Sequence, residues 1–189
     1  MTDESFSLTG KFLIAAPAMG DPRFKQAVIY ICAHDAHHAM GLIINKTKGD
    51  LHLTDILDTV GIDGDICVAD TAVLDGGPVD IDRGFVLHSP DFTPQGTSLD
   101  ISPSLRLTAS REILDVLVTD QAPQKALISI GYSGWGAGQL ENEIMDNAWL
   151  ITEGDETLIF DANMQHKWAA ALSSLGITPE TLSAMSGSA

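Results

Sequence analysis

Residues 131–144 read Gly-Tyr-Ser-Gly-Trp-Gly-Ala-Gly-Gln-Leu-Glu-Asn-Glu-Ile. They bring a hydroxyl (Ser133), two carboxylates (Glu141 and Glu143), an amide (Gln139) and two rings (Tyr132 and Trp135) close together in sequence. An apolar run, 125–130, precedes them and a helix-like segment follows. Strand, glycine-rich loop and helix is the layout of phosphate-binding sites, where backbone N–H groups meet an anion. The spacing completes none of them. A P-loop needs lysine and a hydroxyl after its last glycine; Gly131 and Gly136 have the separation, but Ala137 and Gly138 follow. A dinucleotide fingerprint begins at Gly134 or Gly136, yet Gln139 or Glu141 stands where its third glycine belongs. Glu141 and Glu143 suit the helix dipole but repel phosphate. A nucleophile elbow needs glycine two residues after the serine; Gly134 comes one residue early, and Ser133 has no clear partner.

The remaining chemistry is recognition. Tyr132 and Trp135 either stack on a ligand or pack over glycine backbone, the commoner use of such rings. Gln139 and Glu143 are four apart and share a helix face. They either orient a ligand or bond to loop amides. His88 ends a strand before Ser89-Pro90, as a cleft residue or a satisfied structural histidine. Asn45 ends another strand, where its amide suits a turn or cap. Tyr132, Trp135, Gln139, Glu143, His88 and Asn45 are therefore the candidate ligand-binding residues. A catalytic reading would pair Glu143 or Glu141 with His88. His34, Asp35, His37 and His38, with Cys32 nearby, are metal-ligating types. They sit in a hairpin connection with no second cluster, so no dedicated metal site is expected, and no pattern calls for a cofactor.

These residues need elements to hold them. Strands are expected over 11–15, 27–33, 40–45, 71–74, 84–88, 98–101, 105–108 and 125–130, and short ones over 149–152 and 157–160. Residues 34–39 form a longer hairpin loop. Helices are expected over 53–60, 110–119, 139–147 and 163–175, with a last short helix opened by Thr178-Pro179-Glu180. Asp21-Pro22-Arg23-Phe24 reads as a turn whose arginine pairs with an acid. Asp80, Asp82 and Arg83 read as a solvated ion-pair region. Strands dominate the first two thirds and helices do not alternate with them, which predicts an α+β fold with a mixed or mainly antiparallel sheet.

The 189 residues fit one domain, 1–189, with 1–5 and 186–189 expected to fray. Ten Lys plus Arg against 26 Asp plus Glu give a formal net charge of −16. Duplex DNA is bound through Lys and Arg placed on phosphates, and Lys46 and Lys48 are the densest basic pair, so direct nucleic-acid binding is disfavoured. No apolar run approaches the roughly 20 residues that cross a membrane. Met1–Ser5 carries acid where a signal peptide carries positive charge, so a cytoplasmic protein is expected. Cys32 and Cys67 sit in apolar stretches and read as buried thiols.

The same segments resemble the YqgE/AlgH family of bacterial proteins along nearly the whole chain. Residues 11–20 (KFLIAAPAMG) with Asp21-Pro22-Arg23-Phe24 match its opening. Cys32-Ala33-His34-Asp35 and residues 40–46 (MGLIINK) match its second block. Gly76-Gly77-Pro78-Val79 and Gly84-Phe85-Val86-Leu87-His88 match its centre. Residues 131–144 match its most distinctive motif, followed by Asn147-Ala148-Trp149-Leu150. Lys167-Trp168 and Leu175-Gly176-Ile177 fit the C-terminal part. The chain departs at His37-His38, where glycine is frequent, at Ala137, where proline is common, and at the tail.

The resemblance implies a single α+β domain whose split sheet bends into a pseudo-barrel with flanking helices, and it brings no established reaction. One branch carries a transcriptional-regulator label, which sits badly with the charge and the lack of a visible helix-turn-helix. The expected function is a non-enzymatic binding or regulatory module for an unknown protein or small-molecule ligand. The alternatives are an enzyme using Glu143 or Glu141 with His88, and a regulator acting directly on DNA.

Overall fold

The computed structural model describes residues 6–96 and 98–187, with the backbone alone for Met185 and Ser186. Residues 1–5 and 188–189, part of the termini expected to fray, lie outside the described residues. The chain divides into two compact units, Met1–Lys46 with Ser133–Ala189, and Thr47–Tyr132.

In the first unit β1 (Lys11–Ala15) pairs antiparallel with β2 (Val28–His34), and β2 with β3 (His38–Ile43). β1 is flanked on its other edge by β10 (Trp149–Glu153). β3 pairs with residues 133–136, the end of β9 (Ala126–Gly136). Alternating side chains put Leu13, Ile29, Ile31, Ala39 and Ile43 into one core with Trp135, Leu140 and Trp149. Among the described residues four helices belong to this unit: α3 (Gln139–Met145), α4 (Glu156–Ile159), α5 (Met164–Ser173) and α6 (Pro179–Ser186). Lys167 of α5 is fully buried. Its ammonium donates to the carbonyls of Ile44 and Ile159, both at 2.8 Å. Burial pushes the Lys167 pKa down to about 8, against the pull of Asp161.

In the second unit, residues 126–132 of β9 pair antiparallel with β6 (Val79–His88) and parallel with β5 (Ala72–Asp75). β6 continues to β8 (Leu105–Thr108) and β8 to β7 (Ser98–Ser102), while β5 pairs with β4 (Thr47–His52). Helices α1 (Leu53–Thr59) and α2 (Arg111–Val116), with Leu117 at the end of α2, bury Leu53, Leu57, Ile113 and Leu117 against Val73, Val86 and Ile128. The sheet pairings are antiparallel except for β5 with β9, and the fold class is α+β, as the sequence predicts.

Five local expectations are corrected. The glycine-rich segment is not a loop: β9 runs through Gly136, and Ala137-Gly138 alone separates it from α3. Where a strand was expected over 157–160, Glu156–Ile159 forms the helix α4, because Asp155 caps it by accepting the Thr157 N–H at 2.9 Å. β4 was hidden because its sequence, TKGDLH, is polar and almost wholly exposed. The long loop expected over 34–39 shrinks to a turn in which Asp35 accepts the N–H groups of His37 (2.7 Å) and His38 (3.0 Å). Cys32 is buried as expected, but Cys67 is exposed in an irregular segment whose backbone N–H reaches the Leu117 carbonyl.

Gly131 shows why glycine stands inside a strand. Its φ is +74°, and a Cβ there would lie 2.5 Å from the Gly77 carbonyl oxygen and 3.1 Å from that of Val79. Gly136 has an ordinary φ, and nothing lies within 4 Å of its virtual Cβ. Gly131→Ala is expected to destabilise by about 2–4 kcal/mol, from left-handed strain plus a backbone clash. Gly136→Ala is expected to stay within about 0.5 kcal/mol. Urea denaturation of the two variants checks the contrast; equal losses would remove the close-approach explanation.

Candidate functional site

The motif is built around a carboxylate. Gly138, at φ +71°, ends the two-residue turn and opens α3, which sets Leu140 inward and Gln139 and Glu143 on one shared face. One Glu143 oxygen accepts the indole N–H of Trp135 at 2.9 Å and that of Trp149 at 2.8 Å. The other accepts the Gln139 amide at 3.1 Å, and the Gln139 carbonyl oxygen accepts the Gly136 N–H at 3.1 Å. The two indoles are almost fully buried and meet edge to face at 6.2 Å, with Phe24 edge-on to Trp149 at 5.6 Å. Each indole removes roughly 150–250 Å² from water. Each charge-assisted bond to Glu143 contributes on the order of 1.5–3 kcal/mol.

Trp135, Gln139 and Glu143 are thus brought together, with their polar atoms spent on one another, on Trp149 and on backbone. The other three candidates have other partners. Asn45 accepts the Val28 N–H at 2.9 Å and donates to the Gln26 carbonyl at 2.8 Å. His88 is completely buried. One ring nitrogen lies 2.8 Å from the Ser89 carbonyl and the other 2.8 Å from the Thr108 hydroxyl. The carbonyl can only accept, so Nδ1 carries the proton and Nε2 accepts from Thr108. Burial pushes the His88 pKa down, and the ring stays neutral. Tyr132 is half-buried, edge-on to Phe85 at 5.6 Å.

Glu141, the other carboxylate of the catalytic alternative, lies 2.8 Å from His34 Nε2. His34 Nδ1 accepts the Leu8 N–H at 3.1 Å, so Nε2 is the donor. Glu141's own backbone N–H and the His34 ring hold that carboxyl below its usual range. His34 therefore faces Glu141 and Leu8, while His38 pairs with Asp35. Among the described residues no three His, Cys, Asp or Glu side chains gather as a metal site.

An open concavity among the described residues of the first unit lies elsewhere. A cavity of about 390 Å³ is walled by the turn after β1 (Pro17, Met19, Pro22), by Lys25 and Gln26, and by Trp168 and Leu182 from α5 and α6. Polar contacts brace this turn. Arg23 and Asp21 form an ion pair at 2.6 Å, as the Asp-Pro-Arg sequence suggests, and Arg23 holds the Asp21 carboxyl below its usual range. The Lys46 ammonium donates to the Arg23 carbonyl at 2.7 Å. Gln26 has φ +53°, a conformation that costs a non-glycine residue roughly 1–2 kcal/mol; the bond from Asn45 to its carbonyl holds it there. The Trp168 indole N–H is shut from solvent and has no acceptor among the described residues. Lys25 and Gln26 were not candidates because single residues in a turn carry no spacing signal, and the helical spacing of Trp168 with Met164 and Leu172 reads as an apolar stripe. The one legible sign was the rigid Pro17-to-Pro22 turn.

Comparison with known proteins agrees along the full length. The AlgH-like family model, DUF179, matches residues 12–180. A UPF0301 protein of Caulobacter vibrioides is 44% identical over 188 residues, covering 99% of this chain and 96% of the relative. One from Ruegeria pomeroyi is 47% identical over 183 residues, covering 96% and 99%. The solution structure of the AlgH protein from Pseudomonas aeruginosa superposes with a TM-score of 0.77 at 37% identity, covering 100% of this chain and 98% of that one. A Corynebacterium diphtheriae protein shares the fold at a TM-score of 0.68 and 19% identity, covering 93% and 90%.

Glu143→Ala leaves two buried indole N–H groups without an acceptor. The expected loss is about 2–5 kcal/mol, read by denaturant unfolding followed through tryptophan fluorescence. Glu143→Gln, which keeps an acceptor oxygen, is expected to lose less. A Glu143→Ala protein as stable as the parent would mean that the carboxylate is not needed by the fold.

Proposed function

The chain belongs to the YqgE/AlgH family, and from that premise we propose that it is a non-enzymatic binding or regulatory module of the bacterial cytoplasm. The observation that carries this reading is the commitment of the groups an enzyme would need. Both ring nitrogens of His88 are bonded inside the protein, and burial keeps the ring neutral. Both oxygens of Glu143 receive internal donors. A general acid or base must reach a substrate proton within hydrogen-bond distance; neither His88 nitrogen is free for this, and the Glu143 carboxylate already accepts three internal donors. By contrast, the cavity bounded by Lys25, Gln26 and Trp168 is lined by the Lys25 ammonium and the Gln26 amide, whose side chains have no partner among the described residues. Its polar lining can fix a ligand's orientation while its apolar wall supplies contact area.

Direct action on DNA is the weaker reading. The charge of −16 opposes a polyanion. Among the described residues no helix is long and apolar enough to cross a membrane. A regulatory effect would pass through a small molecule or a protein partner.

Two assays on the whole chain test this. In a mobility-shift experiment at low salt, duplex DNA is expected to migrate unretarded. Retardation that weakens as salt rises would replace the module with a DNA-acting regulator. Generic chromogenic esters and phosphates are expected to show no turnover above buffer. Turnover that disappears in His88→Asn, in protein that still folds, would establish the catalytic alternative instead.

A further inference from the structure

We infer that the cavity bounded by Pro17, Met19, Lys25, Gln26, Trp168 and Leu182 binds a small amphipathic monocarboxylate, with the carboxylate at Lys25 and the apolar body against Met19, Trp168 and Leu182. This ligand class rests on reading the chain as a binding module and gives that module a site.

Size and rigidity come first. About 390 Å³ falls within the range of small-molecule pockets. Two prolines, the Asp21–Arg23 ion pair and the bond from Asn45 to Gln26 fix the turn. A wall already fixed costs a ligand little ordering on binding. Asn45 is in this account a positioning residue: it touches no ligand but sets the backbone of Gln26.

Charge selects the ligand. Arg23, Lys25 and Lys46 gather on or against this turn, in a chain with only ten basic residues. Asp21 and the Arg23 carbonyl occupy Arg23 and Lys46. Among the described residues Lys25 has no ion-pair or hydrogen-bond partner for its side chain. One unpaired ammonium balances one negative charge. A phosphate dianion would leave its second charge without a partner at this exposed lysine.

The third observation is the Trp168 indole N–H, a donor without an acceptor among the described residues. Buried donors are paired in the great majority of cases. The ring walls the cavity while its N–H is closed from solvent. Binding therefore changes the surroundings of that one proton.

The test is a titration of the ¹⁵N-labelled full chain with octanoate, octanol and octyl phosphate, following the indole N–H signals of its three tryptophans. Trp168→Phe identifies the Trp168 signal. Octanoate is expected to shift it saturably in the millimolar range, as suits a ligand of this size. Octanol is expected to bind about five-fold more weakly, and Lys25→Ala is expected to erase that difference. Equal binding of octanoate and octanol by the parent protein would overturn recognition of an anion. Tighter binding of octyl phosphate would overturn the single charge. Shifts confined to other residues would overturn the site while leaving the chain a binding module. Unmoved spectra with all three probes would overturn both site and ligand class, and the module reading would then stand or fall by its DNA and turnover assays.

Discussion

Two indole N–H groups are buried in one core, and a single carboxylate oxygen of Glu143 accepts from both. Much of the first unit is arranged so that this can happen. Trp135 must come from the end of β9 and Trp149 from the start of β10, with α3 between them carrying Glu143 inward. A two-residue turn is the shortest way to swing the chain from β9 into α3, and the left-handed Gly138 makes it possible. Gln139 then ties the helix back to the strand through the Gly136 N–H. The conspicuous glycines are therefore consequences of a packing problem. Gly131 lets backbone pass close to the Gly77 and Val79 carbonyls, and Gly138 supplies the left-handed turn, while Gly136 has open space around it.

The sequence made part of this legible. Alternating apolar runs located β1, β2, β3, β8 and the first half of β9, and the four-residue spacing of Gln139 and Glu143 correctly placed them on one helix face. It could not tell that Glu143 looks inward to Trp149, because no local period links a helix residue to a ring in the next strand. Glycine composition suggested a loop where a strand continues, since propensity counts glycine against strands while tertiary pairing with β3 and β6 overrides it. α4 was misread for the converse reason: Thr157 and Ile159 favour strands, but the cap at Asp155 decides the segment. Of the candidate residues, His88 bonds within β6–β8 and Asn45 to the bend before β2, in line with the structural alternatives that the sequence also allowed for them.

Asn45 nevertheless links the two halves of the account. Its bond to the Gln26 carbonyl maintains a left-handed residue on the cavity wall. Strain of this kind persists only when the surroundings over-determine it. Recognition, on this view, belongs to a turn whose sequence carries no catalytic signature, while the distinctive motif maintains the core. Charge follows the same division: the chain is acidic overall, and a few cations are kept near the concave turn.

The central claim is that the glycine-rich motif is a closed packing device. Hydrogen exchange of the indole N–H protons of Trp135 and Trp149 tests it most directly. The account predicts that both exchange far more slowly than an exposed indole and that both lose protection together when Glu143 is replaced by Ala. Rapid exchange of either proton in the parent protein would contradict it, because the ring would then be open to solvent and available to a ligand.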